Sequence, residues 1–172
     1  MKKKAISNSG PLIHLAKTNL LDLIKQYQIK IPTLVKKEVI DQGKKKGFSD
    51  ALLIEKELKL GSIKVINIEV DLEFEKSAKI AGLHIAEIAV IDYAYKNEII
   101  AILDDNAARV FAKGMGVKIK GSLGLLVEGL ENSIITYSEA INGLNNLAEI
   151  MYLNSDIYRF ILKKLKNDDK KK

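Results

Sequence analysis

Cysteine and tryptophan are absent from the 172-residue chain, and proline occurs only as Pro11 and Pro32. Without thiols there is no disulfide, thiolate nucleophile, cysteine-based zinc cluster or iron–sulfur centre. Chemistry is left to carboxylates, hydroxyls, amides and two histidines, His14 and His84. Long apolar runs are missing too: the longest, such as residues 99–103, fall well short of the roughly 18 residues that a membrane-spanning helix needs. The opening MKKKAISNSG has a basic head but not the apolar stretch of about 7–15 residues that a secretion signal carries. No membrane association is expected, and a cysteine-free chain suits the reducing cytoplasm. Arginine is scarce as well. Arg109 and Arg159 are the only guanidinium groups, which argues against base readout by arginine forks.

Of the residues present, 47% are hydrophobic and 29% charged, with a mean hydropathy close to zero. That is the composition of a single soluble globular domain. The net charge of +6 is spread unevenly. Lys2, Lys3 and Lys4 supply +3, and the six lysines between 163 and 172, less Asp168 and Asp169, supply +4. Residues 5–162 therefore carry −1, and apart from Lys44, Lys45 and Lys46 the basicity lies in the two ends. Charge so placed solubilises, and it can also follow a phosphate backbone in a salt-dependent way.

Apolar, β-branched segments alternate with helix-periodic ones, a rhythm that predicts an α/β fold around a parallel sheet covered on both faces. Strands are expected at 4–8, 29–31, 63–67, 99–104 and 117–119. Helices are expected at 11–17, 20–27, 33–42, 49–60, 71–81, 85–96 and 106–113, with Pro32 near the first turn of one of them. Beyond Gly121 the pattern is helical only, at 123–130, 138–151 and 156–165. No repeat and no Pro/Gly/Ser linker divides the chain. The expected partition is one domain over 1–130, a helical C-terminal extension packed on it over 131–166, and a Lys-rich tail over 167–172.

In an open parallel sheet, ligands gather beyond the carboxyl ends of the strands, where the strand order reverses. Two strand ends are rich in polar groups: Ser7-Asn8-Ser9-Gly10 after the first, and Asp104-Asp105-Asn106 after residues 99–103. Two more acids sit inside apolar helical segments, Glu38 in PTLVKKEVI and Glu87 in LHIAEIAVIDYA. Such oxygens suit a hard divalent cation, which keeps several waters and leaves room for a phosphate oxygen and an attacking water. Metal-assisted phosphodiester hydrolysis is the reaction they point to.

Each residue also has a plainer reading. Asp105 stands where a helix N-cap would stand, and Glu38 follows two lysines and could face solvent. Glu87 is ringed by Ile85, Ala86, Ile88, Ala89, Val90 and Ile91, so a solvated face is hard to draw for it. Asp92, about 140° further round the same helix, is expected to be structural. Neither histidine has a partner at a metal-ligand spacing, and both are expected to serve the core or the surface. Ser7, Ser9 and Ser122 lie in no G-x-S-x-G elbow, and the glycines of residues 114–124 form neither a P-loop nor a dinucleotide fingerprint.

Taken together, ISNSGPLIHLAK, IPTLVKKEV, AEIAVIDYA and AILDDNAARVFAKGMGVKIKGSLGLL resemble the PIN-domain superfamily, and within it the prokaryotic branch related to VapC toxins. The likeness runs in order over about residues 4–130, and DDNAAR…G…GSLGLL is its most specific stretch. The resemblance implies a three-layer α/β/α sandwich around a parallel sheet, a quartet of acids, a Mg²⁺ or Mn²⁺ cofactor, and hydrolysis of single-stranded RNA in the manner of a type II toxin–antitoxin ribonuclease. Glu38 matches the acid after the second strand and Glu87 the acid opening the next core helix. Asp105, with Asp104 beside it, matches the acid after the fourth strand. On this reading Asn8, Glu38, Glu87 and Asp105 form the catalytic set, and Asn8, Glu87, Asp104 and Asp105 hold the metal. A cognate antitoxin and a homodimer are the further partners implied.

One position departs from the pattern. Where these proteins usually read D-x-S-P-L-I or a close variant, this chain reads Asn8-Ser9-Gly10-Pro11-Leu12-Ile13. The amide offers a neutral carbonyl oxygen and leaves one negative charge fewer beside the ion. Three functions stand as expectations: a ribonuclease whose metal binding is weakened at position 8, a catalytically inactive PIN-like module that binds RNA or protein, or a structural protein whose helical extension packs on a partner.

Overall fold

The computed structural model of the protein describes residues 2–169. Among them five strands form one parallel sheet: β1 (Lys3–Ser7), β2 (Tyr27–Pro32), β3 (Ile63–Ile66), β4 (Ile100–Ile102) and β5 (Ile119–Lys120), in the order β3-β2-β1-β4-β5. The chain lays β1 in the centre, moves outward through β2 and β3, and returns to the other side of β1 for β4 and β5. The order therefore reverses between β1 and β4. Ala5 stands opposite Ile29 and Ile100, and Ile6 opposite Lys30 and Ala101.

The helices are α1 (Ser9–Lys17), α2 (Thr33–Lys36), α3 (Gly43–Lys45), α4 (Ser49–Lys59), α5 (Leu72–Ile80), α6 (Ile85–Asn97), α7 (Asn106–Gly114), α8 (Ser122–Glu131), α9 (Tyr137–Ile150) and α10 (Ser155–Asp169). A 3₁₀ turn spans Leu21–Gln26, and a π-helical turn at Lys37–Gln42 joins α2 to α3. Because successive strand residues face opposite sides, the sheet feeds two cores. Ala5, Ile29, Ile31, Ile63 and Ile102 pack with Leu12 and Leu15 of α1, Ile54 of α4, and buried residues of α8, α9 and α10. Ile6, Ala101 and Leu103 pack with Ile88 and Ile91 of α6 and Ala108 and Ala112 of α7. The architecture is a three-layer α/β/α sandwich, as expected from the sequence.

Element boundaries differ in places with physical reasons. The helix expected at 20–27 is a 3₁₀ turn whose last expected residue, Tyr27, instead opens β2. The helix expected at 33–42 widens into the π turn. The last helix continues to Asp169, past the expected boundary at 166, and Ile161 and Leu165 are buried in the first core. Residues 170–172 of the expected tail lie outside the described residues. No helix among the described residues is long and apolar enough to cross a membrane. Asp92 is buried and bonded by Lys96 at 2.7 Å, one helical turn away, which is a structural pairing.

At the amino end of the sheet one buried carboxylate ties three strands to α8. Glu128 accepts hydrogen bonds from the Tyr27 hydroxyl of β2, from the Lys120 ammonium of β5, and from Lys3 Nζ of β1 at 2.9 Å. Burial opposes its ionisation, but the bonds from Lys120, Tyr27 and Lys3 outweigh it and hold the carboxyl down at about 2. Burial and the same carboxylate push the Tyr27 hydroxyl up. An acid lowered from 4.5 to about 2 on folding stabilises the native state fully above its unfolded value. That contribution fades as pH falls from 4.5 through about 2. Urea denaturation across this window should show stability falling with acidification, and Glu128→Gln should flatten the dependence. At neutral pH, Glu128→Ala should remove on the order of 2 kcal/mol, because it strands a buried hydroxyl beside two unpaired lysines.

Candidate functional site

The carboxyl ends of β1 and β4 are neighbours where the strand order reverses, and each runs into a helix: β1 through Asn8 into α1, and β4 through Leu103, Asp104 and Asp105 into α7. A cleft of about 850 Å³ opens there. Asn8, Glu38, Glu87, Asp104 and Asp105 all line it, as do Ser9, His14, Lys37 and His84. Every site residue expected from the sequence is thus in one cleft.

Local structure sets each one. The Asn8 backbone N–H donates to the Ile102 carbonyl at 3.1 Å, which pins the β1 end to β4. Its side chain does not cap α1, and its Oδ1 is buried with no hydrogen-bond partner. Glu38 rides on the π turn, a local widening that occurs often at functional sites, and Ser9 Oγ donates to its Oε2 at 2.6 Å. Glu87 is only 8% exposed, and its Oε2 accepts the His84 backbone N–H at 3.0 Å, closing the first turn of α6. This explains an acid inside an apolar helix. Asp105 caps α7, with Oδ1 accepting the Ala108 N–H at 2.9 Å, so the plainer reading of this residue holds for one of its oxygens.

Asp104 is differently placed. Its Oδ1 accepts the Ser122 N–H at 2.7 Å, while its Oδ2 accepts Ser122 Oγ at 2.6 Å and lies 2.7 Å from His14 Nδ1. With both oxygens committed it seats the start of α8 and holds His14, which leaves Asp105 the freer of the adjacent pair. Arg109 Nη1 donates to the Leu103 carbonyl at 3.0 Å beside it.

Among the described residues Glu38, Glu87, Asp104 and Asp105 form no ion pair with a lysine or arginine, and Asp104 lies against the His14 ring. Helix dipoles replace side-chain cations. The N-termini of α1, α6, α7 and α8 all begin at or beside these residues, and each contributes partial positive charge.

Sequence reasoning placed both histidines in the core or on the surface, whereas both line the cleft. For His14 a signal was present: it lies four residues, one helical turn, beyond Gly10 on the helix that leaves Asn8. Ser9, Ser122 and Lys37 were not foreseen as site residues either. Ser122 reaches Asp104 only through the fold, across 18 residues.

Among the described residues no three His, Asp or Glu side chains gather as a ready-made cation cage. The donor set still fits a small hard cation. Glu38, Glu87 and Asp105 each keep one oxygen free of protein hydrogen bonds. The orphaned Asn8 Oδ1 is a buried acceptor that needs a donor or a cation. Mg²⁺ is commonly held by one or two carboxylates with water filling the remaining positions.

A parallel α/β/α sandwich with a carboxylate-lined cleft at its topological switch point defines the class, the PIN-like fold. The chain belongs to the PIN-domain family: the family model DUF3368, described as a PIN domain, matches residues 4–167. The crystal structure of PAE2754 from Pyrobaculum aerophilum shares the fold, with a TM-score of 0.55 at 20% identity over 74% of this chain and 97% of that one. No curated protein matches this chain.

The support around Asp104 can be tested through Gly121. A Cβ there would sit 2.6 Å from Arg109 Nη1, 2.8 Å from Asp104 Oδ1 and 3.1 Å from the Leu103 carbonyl. Gly121→Ala should therefore displace these groups and lower stability by about 1–3 kcal/mol. Ser122→Ala keeps the space, removes one hydrogen bond and should lower it by about 1 kcal/mol. Thermal unfolding of the two variants reads out both effects, and equal stability of Gly121→Ala and the parent would show that residue 121 does not hold the site.

Proposed function

We propose that the chain is a metal-dependent endonuclease of the VapC toxin type that hydrolyses single-stranded RNA. The observation that carries this is that three carboxylates, Glu38, Glu87 and Asp105, line one cleft at the switch point of the sheet together with the orphaned side-chain oxygen of Asn8. Glu87, Asp105 and Asn8 would hold the ion, with Asp104 behind them fixing the α8 terminus. Mg²⁺ or Mn²⁺ bound there supplies positive charge for the scissile phosphate and a water made nucleophilic at neutral pH. Ser9 fixes Glu38 at the cleft wall, and on this reading its carboxylate would take a proton from an attacking water. Lys37, exposed in the cleft and without an ion pair among the described residues, offers an ammonium to a phosphate. A cytoplasmic setting, a cognate antitoxin across the cleft and a homodimer belong to the same reading.

A second reading, a PIN module that binds RNA without cutting it, is favoured by the amide at position 8. One charge fewer beside a divalent ion weakens its retention. Purified protein incubated with single-stranded RNA in Mg²⁺ or Mn²⁺, with chelator controls, separates the two. The expected result is metal-dependent cleavage that Asp105→Asn abolishes and Asn8→Asp increases, the latter with tighter Mn²⁺ binding by calorimetry. Cleavage by Asn8→Asp alone would make the native protein a disarmed nuclease, and cleavage by neither would overturn the nuclease reading.

A further inference from the structure

The basic cluster Lys44, Lys45 and Lys46, followed by Gly47 and Phe48, takes no part in the carboxylate cleft. It borders a second, smaller cavity of about 160 Å³ lined by Ile13, Val39, Lys46, Phe48 and the buried Asp50. The two cavities share Glu38 and Gln42, so one turn of the π segment is all that divides them. Phe48 is 48% exposed, and the Lys17 ammonium lies 5.8 Å from its centroid. Lys44 is bonded to Glu55 at 2.8 Å, whereas Lys45 and Lys46 are exposed and make no ion pair among the described residues. The backbone is shaped to hold this group together. Gly47 has a φ of +75°, a left-handed conformation that suits glycine, and it turns the lysine run into α4. The Phe48 N–H bonds back to the Gly43 carbonyl at 3.0 Å, and a Cβ on Gly43 would meet that of Ala51 at 2.8 Å.

The main cleft contains no Phe or Tyr in its walls, and single-stranded nucleic acid is held mainly by base stacking on aromatic rings and by cations along the backbone. We infer that the cavity at Phe48 is a nucleotide subsite for the strand that crosses the carboxylate cleft: the ring of Phe48 stacks on one unpaired base, and Lys45 and Lys46 contact its flanking phosphates. Asp50 and Gln42 line the same cavity. The assignment rests on the proposed single-stranded RNA substrate, but it concerns binding and not cleavage.

The test is titration of fluorescently labelled single-stranded RNA with the full chain in EDTA, so that cleavage does not enter. Phe48→Leu keeps an apolar side chain at a half-exposed site and should leave thermal unfolding unchanged while weakening binding about tenfold. Lys45→Gln combined with Lys46→Gln should flatten the slope of log affinity against log salt by about 1.4. Fully paired RNA exposes no base face, so Phe48→Leu should not alter its binding. Unchanged single-strand affinity in Phe48→Leu, or an equal loss on duplex RNA, would overturn the subsite. Absence of any RNA binding by the parent chain would overturn both the subsite and the substrate reading. Binding without metal-dependent cleavage would remove the nuclease reading and leave the subsite standing.

Discussion

All five strands run in one direction, so every carboxyl end, and every helix N-terminus that follows one, lies along the same edge of the sheet. That constraint concentrates chemistry. Parallel strands cannot be joined by tight hairpins and need crossovers, and the crossovers here carry Asn8, Glu38, Glu87, Asp104 and Asp105 to one place from segments up to 97 residues apart in sequence. The reversal of strand order between β1 and β4 sends the following helices to opposite faces and leaves a gap between their N-termini. The cleft is that gap. Its carboxylates make no ion pair with lysine or arginine among the described residues, and four helix N-termini add positive potential beside them.

Within this frame the side chains divide between support and chemistry. Asp104 is saturated by Ser122 and His14, and its burial is tolerable because a buried carboxylate with several charge-assisted or backbone hydrogen bonds is fully solvated by protein. Asp105, Glu87 and Glu38 each spend one oxygen on a local donor and keep one. Such half-use fixes the carboxylate plane without exhausting it. Asn8 breaks the pattern. It sits at the end of the central strand, and its side-chain oxygen is buried without a donor. A buried amide oxygen left so carries a penalty of about 1–3 kcal/mol, which a cation or a water would relieve. The substitution therefore lowers the negative charge of the cleft but retains an oxygen where the family pattern has one.

Much of this was legible in the chain. The βα rhythm gave the sheet and the two-sided core because strands buried on both faces must be apolar throughout, as Ala5-Ile6 and Ile100-Ala101-Ile102 are. The polar stretches at the ends of β1 and β4 stood out against that background, and Glu87 stood out against its own helix. What was not legible is instructive. Nothing in TLVKKEVIDQ marks a π turn over a regular helix, because both have the same apolar face and differ by one residue per turn. His14 lies in ISNSGPLIHLAK and Ser122 in GSLGLL, but neither stretch marks its residue as a partner of Asp104. They become site residues only when the order β1-β4 brings α1 and α8 against Asp104, a long-range consequence that spacing along the sequence does not contain.

The π turn also explains how one segment can serve two cavities. In a regular α-helix, residues 38 and 42 would stack on a single face one turn apart. Inserting the wider turn between α2 and α3 displaces the lysines that follow, and the left-handed Gly47 then reverses the chain into α4. As a result Glu38 and Gln42 form a low wall with carboxylates on one side and Phe48 with its lysines on the other. An acidic cleft alone would repel a polyanion. On the proposed reading, basic and aromatic groups one turn away would give a single strand a place to bind beside carboxylates that make no lysine or arginine ion pair among the described residues. The electrostatic demands of holding a polyanion and of holding a cation conflict at a single point, and a short irregularity in one helix separates them in space.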